Sequence, residues 1–237
     1  MRNSIPKIIH QIWSGIEDPL PQYYKDFSET WKCDYPDWEY ILWDNGKMNS
    51  FVLENYPEYW DAYNQFPYNI QRWDAIRYLI LYKMGGMYVD FDYESVRPMG
   101  KIIENNTCCF SQEPVRHRSM TEEFFDFNNA LMLSIPQHFF MMKIIDTIFS
   151  NSYNKSDKKY RDVFGSTGPW IINRIYNSLS EDDKEQVYII PSEYVSPYDM
   201  VQSRQLREGD FNKEIIRPIR DAYAIHYYYG EWNNSES

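Results

Sequence analysis

The sequence predicts an α/β fold: one domain over residues 1–237, with a mainly parallel central sheet flanked by helices. Three observations carry that expectation. Short β-branched runs alternate with stretches of helical periodicity along the chain. Hydrophobic residues make up 43% and charged residues 25%, the balance of a chain that folds around a core. With 237 residues, the chain is long enough to bury a substantial one.

Taken in order, residues 7–13 (Lys-Ile-Ile-His-Gln-Ile-Trp) are rich in β-branched side chains and run into Ser14-Gly15, a buried strand and its turn. A helix follows over 19–35, stopped by Pro36. Residues 38–43 alternate and end at Asp44-Asn45-Gly46, a second strand with turn chemistry. Residues 48–56 and 58–66 read as short helices separated by Pro57. The clearest helix covers 69–84, where Ile70, Trp73, Ile76, Ile80 and Met84 keep helical spacing and Gly85-Gly86 supplies the stop. Residues 87–90 form a short strand leaving the core, and 107–111 and 129–133 are further strands. Helices are expected over 137–149 and 169–179, a closing strand over 223–227, a polar surface loop over 151–161 and a solvated turn over 180–185. Beyond Trp232 the tail reads as frayed. The sequence has no internal repeat, low-complexity tract or linker.

Composition narrows the function. Lysine and arginine number 24 against 35 acidic residues, and the net charge of −11 argues against a nucleic-acid binder. Aromatic residues reach 18%, with 22 Tyr and 8 Trp, which suits sugar-binding clefts and equally a Tyr-rich core. Cys33, Cys108 and Cys109 make no disulfide framework and no zinc pattern, consistent with a reducing compartment. The longest apolar stretch, 76–89, is interrupted by Arg77, Lys83 and the glycine pair, so no transmembrane segment is expected. The N-terminus turns polar too early for a signal peptide, and the expected location is cytoplasmic.

The informative stretch runs from Asp74 to Asp92. Asp90 and Asp92, two apart at a strand's end, can present two carboxylates to one point, an arrangement suited to a hard divalent cation that also takes phosphate oxygens. Ligands of open α/β sheets collect at that end of the strands. Alone, an Asp-x-Asp in so acidic a chain is equally a solvated turn. Upstream, Asp74 and Arg77 share one helical face, either as a surface ion pair or as a hydroxyl acceptor beside a phosphate-binding guanidinium. The Gly-Gly stop then reverses the chain into the strand that carries the carboxylates. Of the histidines, His10 reads as a core residue, His117 as part of a basic loop and His138 as a helix cap.

Residues 5–13, Trp43-Asp44 and the Asp74 to Asp92 block resemble glycosyltransferase family 32. That family carries the DXD sugar-binding region and includes fungal initiating α-1,6-mannosyltransferases and many bacterial capsular-polysaccharide enzymes. The same block recurs in the large glucosylating bacterial toxins. Asn128-Asn129-Ala130, Ser134-x-Pro136-x-His138, Thr167-Gly168-Pro169 and Ala224-Ile225-His226 through Trp232 extend the likeness over residues 5–232. The resemblance implies a GT-A fold, a nucleotide-sugar donor, Mn²⁺ or Mg²⁺, and retention at the anomeric carbon. It implies base stacking by Trp13 beside Gln11 and Ile12. Asp74 and Arg77 would meet donor sugar and phosphate, with Tyr88 next to them. Asp90 and Asp92 would surround the metal, and Asn128 or Asn129 would reach a donor hydroxyl. His226 would complete the metal site and Trp232 would close over the donor. Family members often end in His-His-x-x-Gly-Ser-Trp, whereas this chain has Glu231 in place of that Ser.

The function expected is therefore a metal-dependent retaining hexosyltransferase. Its donor is a nucleotide sugar, UDP-hexose before GDP-mannose. The acceptor is a glycan or lipid-linked oligosaccharide of surface or capsular polysaccharide synthesis, with peripheral association at the inner face of the membrane. A metal-dependent nucleotide-sugar hydrolase or nucleotidyltransferase and a non-catalytic sugar-binding module are the competing readings. The first has no P-loop pattern to support it, and the second leaves the Asp74 to Asp92 unit unexplained.

Overall fold

The computed structural model describes residues 4–16, 18–119, 125–150 and 156–230. Its strands are β1 (Ile8–Ile12), β2 (Glu39–Trp43), β3 (Gly86–Val89), β4 (Tyr93–Ser95), β5 (Cys108–Gln112), β6 (Phe127–Ser134), β7 (Tyr188–Ile190) and β8 (Ala224–His226). The helices are α1 (Gln22–Asp34), α2 (Asn45–Asn55), α3 (Trp60–Gln65), α4 (Asn69–Met84), α5 (Gly100–Ile103), α6 (Phe139–Ser150), α7 (Lys159–Ser166), α8 (Pro169–Asn177), α9 (Glu181–Lys184), α10 (Ser192–Val195), α11 (Met200–Arg207) and α12 (Lys213–Ile219). Six strands form the main sheet in the order β2-β1-β3-β6-β5-β7, and β4 pairs with β8 in a separate two-stranded sheet. The β1–β2, β1–β3 and β5–β7 ladders are parallel, while β6 runs antiparallel to both neighbours.

Strand alternation sorts the apolar side chains onto two faces. Tyr88, Cys108, Phe110 and Met132 join the core formed with α2, α4, α6 and α8. Their sequence neighbours Met87, Val89, Cys109, Leu131 and Leu133 join a second core with Trp31 and Tyr35 at the end of α1. Both sheet faces are thus covered, which is why β6 is buried along its whole length.

Two features of this frame position the site. The β5–β6 ladder shifts register, pairing Phe110 with Met132 but Ser111 with Asn128, so residues 129–131 of β6 have no partner on β5. That bulge turns Asn129 and Ala130 toward β3 and α4. The second feature is the reversal from α4 into β3. Gly85 and Gly86 have φ of +68° and +100°. A Cβ on Gly85 would lie 2.7 Å from Cδ of Pro136, and one on Gly86 would lie 2.6 Å from the Ile8 carbonyl oxygen. Only glycine satisfies both the backbone angle and the close approach. Beneath them, buried His10 donates from Nε2 to the Gly85 carbonyl at 2.9 Å and accepts at Nδ1 from Trp43 Nε1 at 3.2 Å. Burial pushes His10 down to about 4, so the ring is a neutral strut, as its β-branched setting implied.

Several expectations need correction. The polar stretch 151–161, read as a loop, contains the start of α7, and the 180–185 turn holds α9, whose Ser180 cap accepts from Asp183 N at 3.2 Å. The closing strand exists as β8 but pairs with β4 outside the main sheet. Strands β4 and β7 and the helices between 192 and 219 were not anticipated. Each of these two strands has only three residues, too few for a period-two pattern to show.

Gly86→Ala is expected to lower unfolding free energy by about 2 kcal/mol or more, through the forced φ and the Ile8 collision. Gly100→Ala, where a Cβ meets nothing within 4 Å, should stay within about 0.5 kcal/mol of the parent. Denaturant titration of both checks this, and equal midpoints would contradict the assignment.

Candidate functional site

The site grows from the C-terminal end of β3. The strand ends at Val89, so Asp90 and Asp92 lie in the turn that leads to β4 rather than along a strand. The Asp90 amide donates to the Ala130 carbonyl at 2.7 Å, and the Tyr93 amide closes the turn on the Asp90 carbonyl at 3.2 Å. The two carboxylates consequently face different supports. Asp90 is held from the α4 side and Asp92 from the C-terminal segment.

On the α4 side stands Arg77, which is buried, as is Asp74 one turn earlier. The sequence left open a surface ion pair here; the pair is internal because α4 is covered all round, with residues 74–81 buried without interruption. Arg77 Nη2 meets Asp74 Oδ1 at 2.9 Å, and Nη1 donates to the Asn129 carbonyl at 2.9 Å and lies 3.4 Å from Asp90 Oδ1. Its Nε reaches the Trp73 carbonyl at 3.3 Å, and its face covers the Tyr88 ring at 4.6 Å. The Tyr88 hydroxyl donates to Asp90 Oδ1 at 2.5 Å. Asp74 also accepts from Asn129 Nδ2 at 3.0 Å and from Thr167 Oγ1 at 3.1 Å. Burial, against the pull of Arg77, raises Asp74 to about 6, so it is still ionised at neutral pH.

On the other side, Asp92 Oδ1 lies 3.3 Å from Nε2 of His226, the last residue of β8, and Oδ2 accepts from the Tyr229 amide at 3.1 Å. The His226 ring stacks on Tyr93, and its Nδ1 has no hydrogen-bond partner. The environments drive the two carboxylates apart. Enclosure, and then the like charge of Asp92, hold Asp90 above the usual carboxylate range despite Arg77. Burial would also raise Asp92, but His226 and the Tyr229 amide outweigh it and bring Asp92 below that range. His226 itself is raised, since the Asp92 carboxylate overcomes the effect of burial.

Among the described residues, no three His, Cys, Asp or Glu side chains are gathered into a closed cation cage. The donor set fits a different kind of occupant. Asp90, the more open carboxylate at 30% side-chain exposure, and Asp92 at 15% suit a hard cation that takes its remaining ligands from phosphate oxygens and water.

The other candidates are distributed as follows. Gln11 is buried, accepts from the Tyr40 hydroxyl at 2.7 Å and reaches the Asp90 carbonyl at 3.5 Å. Ile12 packs into the core beside α4. Trp13 meets Phe91, the residue between the two aspartates, edge to face at 6.0 Å, so β1 delivers an indole to the carboxylate turn. Asn129 belongs to the Arg77 cluster. Asn128 turns away, donating to Glu113 Oε1 at 2.5 Å and accepting from Ser111 Oγ at 2.6 Å. Glu231 and Trp232 lie outside the described residues.

Sequence reasoning missed Glu113. Its second oxygen binds Nδ1 of His117 at 2.5 Å, and His117 Nε2 accepts from the Met200 amide at 2.9 Å. His117, read as part of a basic loop, is a buried brace whose ring edge meets Tyr228 at 4.9 Å. The signal was available in the Glu113 to His117 spacing of four across a proline, a carboxylate one turn before an imidazole.

Residues 21–109, from α1 to the start of β5, match the family described as glycosyltransferase sugar-binding region containing DXD motif. Inositol phosphoceramide mannosyltransferase 1 of Schizosaccharomyces pombe is 30% identical over 192 residues, 79% of this chain and 56% of that protein. Mannosyl phosphorylinositol ceramide synthase SUR1 of Saccharomyces cerevisiae is 32% identical over 173 residues, 73% of this chain and 42% of its own length. The chain therefore spans about half the length of these relatives. Among solved structures, PaToxG glycosyltransferase superposes with a TM-score of 0.53 at 18% identity, covering 93% of this chain and 89% of that one. The fold is of the GT-A type, as expected.

Arg77→Ala would strand Asp74 and Asp90 without their cation and should cost about 3–5 kcal/mol of stability. Arg77→Lys keeps the charge but not the fork that reaches three acceptors, and should still lose about 2 kcal/mol. A lysine variant as stable as the parent in urea would show that the fork is dispensable.

Proposed function

With residues 21–109 belonging to the glycosyltransferase family whose sugar-binding region contains the DXD motif, we propose that the chain transfers a hexosyl group from a nucleotide sugar to a glycan or lipid-borne hydroxyl, with a divalent cation and with retention. The observation that carries the reading is the Asp90–Asp92 turn at the end of β3, fixed on one side by Arg77 and Tyr88 and on the other by His226 and Tyr229. The sequence favoured UDP-hexose; the mannosyltransferase names of the relatives favour a nucleotide-linked mannose, which we take first.

Asp90 and Asp92 would hold Mn²⁺ or Mg²⁺, with His226 beside Asp92 as a nitrogen donor. Such a cation would supply charge neutralisation on the donor diphosphate. Arg77 keeps Asp90 in place, since its donors are already engaged by Asp74, Asp90, Asn129 and Trp73. Trp13 and Phe91 offer aromatic surface to the base next to the carboxylates. Asp74 and Glu113 are both buried within hydrogen-bond networks, so neither is free as a nucleophile. The acceptor oxygen therefore attacks on the face that the diphosphate leaves. Its O–C bond forms as the C–O bond to the donor phosphate breaks, and its proton passes to the departing phosphate oxygen.

Thermal-shift titration with GDP-mannose and UDP-hexoses, with and without Mn²⁺, tests the reading. At 100 times Kd a donor adds about 2.7 kcal/mol, a rise of roughly 5–10 °C in Tm for a chain of this size. Asp90→Asn and Asp92→Asn should remain folded, lose the Mn²⁺-dependent part of that rise and lose glycosyl transfer. Either variant retaining wild-type metal-dependent transfer sinks the assignment. Hydrolysis without transfer to any acceptor would favour the hydrolase, and binding without turnover the sugar-binding module.

A further inference from the structure

Helix α11 has two unlike faces. The inner one holds the C-terminal half of the site. Ser203 Oγ donates to the His226 carbonyl at 3.0 Å, and the Arg207 guanidinium covers the Tyr229 ring at 4.3 Å. Leu206 is buried with Tyr198, Ile225 and Tyr227. The outer face exposes Met200, Val201 and Arg204. Beside it lies the turn at 115–119, where Val115 is 65% exposed and the Arg116 side chain 75% exposed. Contiguity follows from the His117–Met200 hydrogen bond and from the cleft that Val115, Arg116, Asp199 and Gln202 line together.

This surface departs from the rest of the molecule in apolarity and in charge. Of the large hydrophobic side chains exposed among the described residues, Val115, Met200 and Val201 lie on this surface, Phe211 and Ile216 follow it in the chain, in the link after α11 and on α12, and Ile16 and Leu53 lie elsewhere. Residues 200–220 hold Arg204, Arg207, Lys213, Arg217 and Arg220 against Glu208, Asp210 and Glu214, in a chain whose net charge is −11. Scattered exposed hydrophobics need no explanation, but clustering them with the sign-reversed part of the chain does.

We propose that α11 and the 115–119 turn form the docking surface for an anionic lipid bilayer. A chain of net charge −11 is repelled by such a surface except where its local charge is positive, so electrostatics selects this face and orients the molecule. Val115, Met200 and Val201 then enter the headgroup layer while Arg204 meets lipid phosphates, beside Arg116, which is paired with Asp199 at 3.4 Å. Neither signal suffices alone, and together they give reversible attachment. The arrangement deepens the proposed function, on which its purpose rests. His226 is bonded to the inner face of the docking helix, so the carboxylate site stands about one helix diameter, roughly 10 Å, from the membrane plane. The acceptor class so implied is a hydroxyl on a lipid headgroup.

Co-sedimentation of the full chain with vesicles tests the surface, using phosphatidylcholine alone and phosphatidylcholine with phosphatidylglycerol, at low and at high salt. Binding is expected to the anionic vesicles only, at low salt, with release at high salt. Arg204→Glu should weaken partitioning at least about fivefold, the value of one basic residue near such a surface. Val201→Asp should weaken it by a similar factor, and both variants should keep the donor-induced thermal shift of the parent. Failure of the parent to sediment at low salt, equal binding to neutral vesicles, or variants that partition like the parent would overturn the proposal. So would a concentration-dependent dimer that Val201→Asp dissociates, because a second copy would then be the occupant. Vesicle binding without any donor response would leave the surface standing and remove the glycosyltransferase reading instead.

Discussion

A guanidinium withdrawn from water organises this protein. Arg77 is 4% exposed, and a charge so placed is tolerated only when its donors are met by well-placed acceptors. The acceptors come from separated parts of the chain: Asp74 one turn back on α4, the Trp73 carbonyl, the Asn129 carbonyl on β6 and Asp90 past β3. Each contact constrains a local structure. The bulge in β6 brings Asn129 within reach, and the glycine reversal brings β3 back beside the helix that carries Arg77. Thr167, between α7 and α8, supplies the hydroxyl that completes Asp74. Burying the pair costs desolvation, and what it secures is the place of Asp90.

The consequence is a carboxylate turn with unequal halves. Asp90 is held by groups of the main sheet and α4, which sit deep in the core. Asp92 depends on His226 and on the Tyr229 amide, which belong to the small β4–β8 sheet and the segment after it. That segment is secured from outside by Ser203 and Arg207 of α11 and from inside by the Glu113–His117 brace under Tyr228. One half of the site is thus held by the main sheet and α4, and the other by α11 and the brace beneath Tyr228.

Sequence patterns exposed the frame better than the site. Helical spacing from Ile70 to Met84, the glycine stop and the β-branched run around Ile9 are strong local signals, and they correspond to α4, the reversal and β1. The Asp74, Arg77, Asp90 and Asp92 spacing singled out residues that do lie together in the fold, because three-residue helical spacing and a turn at a strand's end both act over short distances. Roles that depend on distant partners were not legible. Nothing near Asn128 announces Glu113 as its partner, and nothing near His117 shows that the Met200 amide makes it internal. Arg77 offered no local sign that both sides of α4 would be covered. Burial of a charged residue is decided by elements that pack on it from elsewhere in the chain.

The central claim is that Asp90 and Asp92 form one cation site while Arg77 stays inside as the anchor of Asp90. Anomalous scattering from crystals grown with Mn²⁺ and a nucleoside diphosphate tests it most directly. The account predicts a manganese peak bonded to both carboxylates and to diphosphate oxygens, with Arg77 still on Asp74, Asp90 and the Asn129 carbonyl. A peak that touches neither aspartate, or an Arg77 swung out onto the diphosphate, would contradict it.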